Sequence, residues 1–251
     1  MIAQFNHRNV LYRVDLSKPI DISIPIRHGS DNPNCYWSDP VSIKSINGEN
    51  FIGSVKAGGN VNHNKVIITP HGNGTHTECY GHISDDESAT LNACLKQSHF
   101  LARLITITPH EAEDGDLIFR LNDMSHRLIN NEVDALIIRT EPNSEEKLTR
   151  NYSGTNPPYF SEDIIDFFVE KGVKHLLVDL PSLDREVDEG KLVAHRTFWG
   201  LPDKIREDCT ITELIYVPDD IPDGVYLLNL QTTSLELDVS PSKPVIYEIL
   251  A

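Results

Sequence analysis

The sequence predicts a mixed α/β domain with more strand than helix, and three observations carry that prediction. Short β-branched runs recur along the chain: "VIIT" (66–69), "LITIT" (104–108), "ALIIRT" (135–140), "HLLVDL" (175–180), "CTITELIYV" (209–217), "GVYLLNLQ" (224–231) and "KPVIYEIL" (243–250). Helical periodicity is confined to a few stretches between them. The C-terminal third is almost all strand pattern, with no internal repeat and no clear linker, so the 251 residues read as one domain spanning 1–251.

Each element has a local cause. "SEDIIDFFVEKG" carries Ser161 as N-cap, Glu162 and Asp163 in the first turn and Gly172 as the stop. Its Ile164, Ile165 and Phe168 share one face. A second, weaker helical stretch runs over 87–97, "ESATLNACLKQ". From "ALIIRT" through the first helix to "HLLVDL" the pattern is strand–helix–strand, which predicts a parallel pair joined by a right-handed crossover. The long polar loop "EPNSEEKLTRNYSGTNPPYF" between strand and helix is of a length that is usually functional or mobile.

Composition narrows the classes of function. The formal net charge is −16, from 22 Lys and Arg against 38 Asp and Glu. So acidic a surface repels phosphate backbones and anionic membranes, which argues against a nucleic-acid or membrane partner. No run approaches the roughly 20 apolar residues of a membrane span. The N-terminus has no signal-peptide pattern. Cys35, Cys79, Cys94 and Cys209 are scattered without a CxxC pair, which fits a reduced, cytoplasmic protein.

One stretch concentrates chemistry. "PHGNGTHTECYGH" (70–82) holds His71, His76, His82, Glu78 and Cys79 among glycines. A Zn²⁺-like ion takes neutral imidazole and carboxylate ligands. His76 and Glu78 are two apart and share a face of an extended segment. Gly72 and Gly74 allow a tight turn beneath a metal. The HExxH helix signature is absent. Taken singly, each histidine is more often a surface polar residue than a ligand. Cys79 fits a small buried thiol better than a nucleophile.

"GTHTECYGH" resembles the G-T-H-x-D-x-P-x-H signature of the cyclase family that contains bacterial kynurenine formamidase. "VDLSKPIDISIPI" (14–26), "GVKHLLVDLPSLDR" (172–185), "AHRTFWG" (194–200), "ITELIYVPDDIPDGVYLL" (211–228) and "SPSKPVIYEIL" (240–250) resemble, in order, further segments of that family. The resemblance implies a swivelling β/β/α fold with a mixed sheet. It also implies a divalent metal, Zn²⁺ before Mn²⁺, with one or two ions per chain. Its ligands would be His76, Glu78, His195, Glu213 and, less firmly, His71, with His82 as catalytic acid and base. Trp37, in "NCYWSDP", falls where the family lines its substrate pocket, although a Trp is more often simply packed. His7, His28, His63, His99, His110, His126 and His175 are read as ordinary polar residues.

The departures from the family pattern are an extra residue between His71 and His76, Glu78 in place of aspartate, and Tyr80 in place of proline. The activity implied is hydrolysis of an amide, N-formyl or cyclic amide bond in a small molecule, arylformamidase-like as in tryptophan catabolism. A metal-activated water would attack the carbonyl while His82 shuttles the proton. Lactone hydrolysis, cyclisation, or a non-catalytic binding protein that keeps the fold are the rivals. A homodimer or homotetramer is the implied assembly.

Overall fold

The computed structural model describes residues 1–124 and 133–250, so His126 lies outside the described residues. The chain opens with a hairpin of β1 (Ile2–His7) and β2 (Val10–Asp15), paired from Ile2↔Asp15 to His7↔Val10. Its two turn residues, Arg8 and Asn9, both have positive φ (46° and 68°), as the tight hairpin turn requires. The hairpin was not anticipated because its turn lacks the usual Asn-Gly or Asp-Gly pair.

Besides the short strand Ile20–Asp21, which pairs with the last strand off the main path, the remaining strands of the main sheet are β3 (His76–Glu78), β4 (His99–Ile107), β5 (Ala135–Thr140), β6 (His175–Val178), β7 (Thr210–Glu213), β8 (Gly224–Thr232) and β9 (Val239–Leu250). They are ordered β1-β2-β9-β8-β4-β5-β6-β7-β3, and β3 pairs back onto β9. The sheet therefore closes on itself as a barrel from β9 round to β3. Strands β4 to β7 are parallel. Strands β8, β9 and β3 run antiparallel to their neighbours. The length of β9 makes closure possible: Val239–Pro241 meets β3, while the segment from Ser242 to Glu248 meets β8.

The parallel strands read as unbroken apolar runs because both of their faces are covered. All six residues of β5 are buried. Leu136, Ile138, Leu176 and Val178 pack with the helix residues Ile164, Ile165 and Phe168. Ile137 and Leu177 turn the other way, into a second cluster with Ile22, Leu228 and Ile246.

The helix between β5 and β6, α1 (Glu162–Glu170), buries the face its periodicity predicts, and β5 and β6 are parallel from Ala135↔His175 to Ile138↔Val178. Ser161 stands at the N-cap but does not cap. Its hydroxyl donates to the Phe119 carbonyl and contacts Asp163, tying the helix start to a neighbouring segment instead.

Several expected elements differ. The stretch 87–97 forms only one helical turn, Leu91–Cys94, because the Leu91 amide and the Asn92 side chain are drawn to Leu235–Leu237. The run "VIIT" becomes Asn64–Ile67, paired with Ser42–Ser45 in a separate ribbon, with Val66 and Ile67 exposed. "CTITELIYV" stops being strand after Glu213, since Leu214 takes φ +53° and its amide turns to the Leu180 carbonyl. A helix not anticipated, α2 (Val193–Trp199), carries His195. Among the described residues no helix is long and apolar enough to cross a membrane.

Candidate metal centre

The site lies at the seam where the barrel closes. In the antiparallel pairing of β3 with β7, His76 stands opposite Glu213 and Glu78 opposite Ile211. Side chains alternate along a strand, so His76, Glu78 and Glu213 project to one face. Thr77 and Thr212 project to the other, where their hydroxyls are 2.8 Å apart. All three ligand-type side chains are buried.

The tautomers of two histidines follow from their partners. His76 Nδ1 lies 2.9 Å from the Gly74 carbonyl, which only accepts, so Nδ1 carries a proton and Nε2 is the nitrogen turned into the site. His76 Nε2 faces Glu213 at 3.3 Å. His195 Nδ1 donates to Asp184 at 2.5 Å, and its Nε2 lies 3.2 Å from Glu78 and 3.7 Å from Glu213. Asp184 also accepts the amides of Ala194 and His195, so one carboxylate both anchors the start of α2 and orients the imidazole.

His71 comes from the helical turn Pro70–Gly72 just before β3. At Gly72 the chain passes so close to Ser38 that an added Cβ would sit 1.8 Å from its hydroxyl oxygen; Gly74 has φ +92°. This packing fits the tight turn its glycines predict. His71 Nε2 is 3.4 Å from Glu78, and His82 Nδ1 is 3.8 Å from the same oxygen. The two oxygens of Glu78 thus face different groups: Oε2 meets His71 and His82, and Oε1 meets His195.

Two ligand sets result, His71–Glu78–His82 and His76–Glu78–Glu213, with Glu78 common to both. His71 Nε2, His76 Nε2, Glu78 Oε1 and Glu213 Oε1 are buried without a hydrogen-bond partner. Buried polar atoms are rarely left so, and carboxylate oxygens gathered against imidazole nitrogens call for a cation, a proton or a metal, between them. The donor set fits a divalent cation.

The electrostatics point the same way. Burial disfavours a charge on His71, but Asp238 and Glu78 outweigh it and raise its pKa to about 10. Burial likewise opposes charge on His195, yet Asp184, Glu213 and Glu78 lift its pKa well above the ordinary value. Burial alone would raise Glu78; His82, His195 and His71 instead hold it well below the usual carboxylate range. The site therefore draws positive charge, as protons or as metal.

His71, His76, Glu78, His82, His195 and Glu213 are all brought together here. Trp37 is 71 % exposed, its backbone amide held by the Ser153 hydroxyl. Its neighbour Tyr36 is nearer the chemistry. The Tyr36 hydroxyl donates to the Pro181 carbonyl at 3.0 Å, and burial followed by the charge of Glu213 raises its pKa. Both residues have positive φ (56° and 52°), a conformation unfavourable for aromatic side chains that surrounding contacts must hold in place. The sequence reading named Trp37 and not its neighbour Tyr36. It also missed Asp238, which approaches His71 and His82. Cys79 is buried, as expected of a core thiol.

A closed mixed barrel with His and carboxylate side chains gathered at its seam is an arrangement suited to a divalent metal. The chain belongs to the cyclase family: the family model described as "Putative cyclase" matches residues 14–185. It is 26 % identical to a kynurenine formamidase of Bacillus cereus, over 94 % of this chain and 97 % of that protein. Among solved structures it is similar to one described as a predicted metal-dependent hydrolase from Bacillus stearothermophilus (TM-score 0.63, 17 % identity, 92 % of this chain and 98 % of the other). It is also similar to an isatin hydrolase bound to the product analogue thioisatinate (TM-score 0.62, 15 % identity, 93 % of each). These likenesses show the swivelling β/β/α fold of the family.

Proposed function

We propose that this protein is a metal-dependent hydrolase that cleaves a C–N bond, as an amide, N-formyl or cyclic amide, in a small molecule. The observation that carries the reading is the convergence of four buried, unpartnered atoms on His71, His76, Glu78 and Glu213. The named activities of the similar proteins, a formamidase and an isatin hydrolase, supply the bond class.

His71, His76, Glu78, His195 and Glu213 would hold the ion or ions, with Zn²⁺ the best match to imidazole and carboxylate donors and Mn²⁺ the second. When bound, a divalent ion supplies a Lewis acid for the carbonyl and a water acidic enough to ionise near neutral pH. Asp184 accepts the His195 Nδ1 proton, so Nε2 is the nitrogen turned toward Glu78 and Glu213. His82, whose side chain is 30 % exposed, is open to solvent and substrate, as His71 is at 27 %. It takes the proton of the attacking water and returns it to the leaving nitrogen. Tyr36 and Trp37 supply aromatic surface for an aryl substrate. We further propose a homo-oligomer, a dimer or tetramer.

The test is metal content by elemental analysis, on protein purified without chelator, together with turnover of an N-formyl aryl amine and of isatin. Uptake of metal, turnover lost on chelation and restored by Zn²⁺ or Mn²⁺, and full activity of Cys79→Ala are expected. A chain that takes up no metal under any loading condition is a binding protein and not this hydrolase.

A further inference from the structure

Asp238 appears in neither ligand set, and no sequence pattern singled it out. It sits one residue before the start of β9, where Val239 pairs with Glu78. Its own carbonyl accepts the Cys79 amide at 3.0 Å. The backbone therefore fixes Asp238 beside the chemical segment, independently of its side chain. Its carboxylate reaches between two imidazoles whose ring centres are 4.4 Å apart, with Oδ2 3.2 Å from His71 Nε2 and 3.5 Å from His82 Nδ1.

We propose that Asp238 is the positioning residue of His82, fixing the proton on Nδ1 and leaving Nε2 as the nitrogen that handles substrate. This deepens the hydrolase reading above and rests on it for the role of His82. Of the two carboxylates near His82 Nδ1, Glu78 is the farther, at 3.8 Å, and its oxygens are engaged with His71 and His195. Asp238 is 28 % exposed, and its carboxylate is held chiefly by the two imidazoles it approaches. Its Oδ2 is shared with His71, and Asp238 is the nearer of the two carboxylates to His82 Nδ1. An imidazole with one nitrogen held by a carboxylate presents the other in a defined tautomer and direction, which general acid–base catalysis requires.

The experiment compares zinc-loaded wild type with Asp238→Asn and Asp238→Ala. Each is measured for zinc per chain, for kcat and KM on an N-formyl aryl amine, and for the ¹⁵N signals of the His82 ring, assigned with His82→Gln. Zinc content should be unchanged. In the alanine variant kcat should fall about tenfold or more with KM within about twofold. The asparagine variant, whose side-chain oxygen still accepts, should recover part of the loss. Wild type should show the Nδ1–H tautomer, and the alanine variant a mixture.

Zinc lost in step with the substitution would make Asp238 a ligand and overturn the proposal, as would an unchanged tautomer. If wild type turns over no probe, the hydrolase reading fails while the ring signals still decide the positioning role.

Discussion

His195 donates its Nδ1 proton to Asp184 across 2.5 Å and turns its Nε2 to within 3.2 Å of Glu78. The pair links the N-terminus of α2 to the closing seam of the barrel. Asp184→Asn should therefore act on the metal before it acts on the fold. Loss of such an orienting partner typically weakens metal affinity about 10- to 100-fold. Competition of the variant and wild type against a chromophoric chelator measures the shift; equal affinities would remove Asp184 from the centre.

Glu78 is shared by both ligand sets, so its removal should empty more than one position. We expect near two ions per chain in wild type and fewer than one in Glu78→Ala, read by elemental analysis. About one ion in wild type, lost in the variant, would instead mark a mononuclear centre from which His71 has withdrawn.

Lys147 and Asp179 form a buried ion pair at 2.8 Å, with side chains 4 % and 0 % exposed. Lys147 also donates to the carbonyl and hydroxyl of Thr140 and to Asn143, so the pair ties the loop after β5 to the end of β6. Lys147→Met leaves Asp179 buried without its cation and should destabilise the protein by about 3–5 kcal/mol in urea unfolding. Neutralising both partners, as Lys147→Met with Asp179→Asn, should cost less than the single change.

Burial lowers the pKa of His175 from 6.5 to about 3, with Asp208 opposing that shift and Lys174 and Arg206 adding to it. Between those values the unfolded chain binds a proton at this position and the folded chain does not. Stability contributed by neutral His175 is therefore present above about pH 6.5 and is lost as pH falls toward about 3. The slope is at most about 1.4 kcal/mol per pH unit. Urea unfolding at pH 7 and pH 5 should show a smaller difference for His175→Asn than for wild type.

How much of this was legible beforehand depends on the range of each cause. The strand β5 matches its sequence run from Ala135 to Thr140 because a parallel strand covered on both faces needs only an apolar, β-branched stretch. Helix α1 was equally plain, since its buried stripe and Gly172 stop are local. "VIIT" has the same composition as a core strand and ended on an exposed ribbon, because nothing local tells a run which partner it will meet. "ESATLNACLKQ" kept one helical turn because residues 235–237 claimed its polar groups.

The sequence by itself determined the chemistry available to this protein: three histidines and a glutamate within thirteen residues, and the ordered motifs that mark the family. The alternation of a strand already placed His76 and Glu78 on one face. Only the tertiary structure decided what joins them. Barrel closure sets Glu213 opposite His76, Asp184 turns His195 inward, and the approach to β9 carries Asp238 to His82 from 156 residues away. Those contacts depend on sheet register and strand order, which are settled by the packing of the whole core and leave no local mark on the residues they bring together.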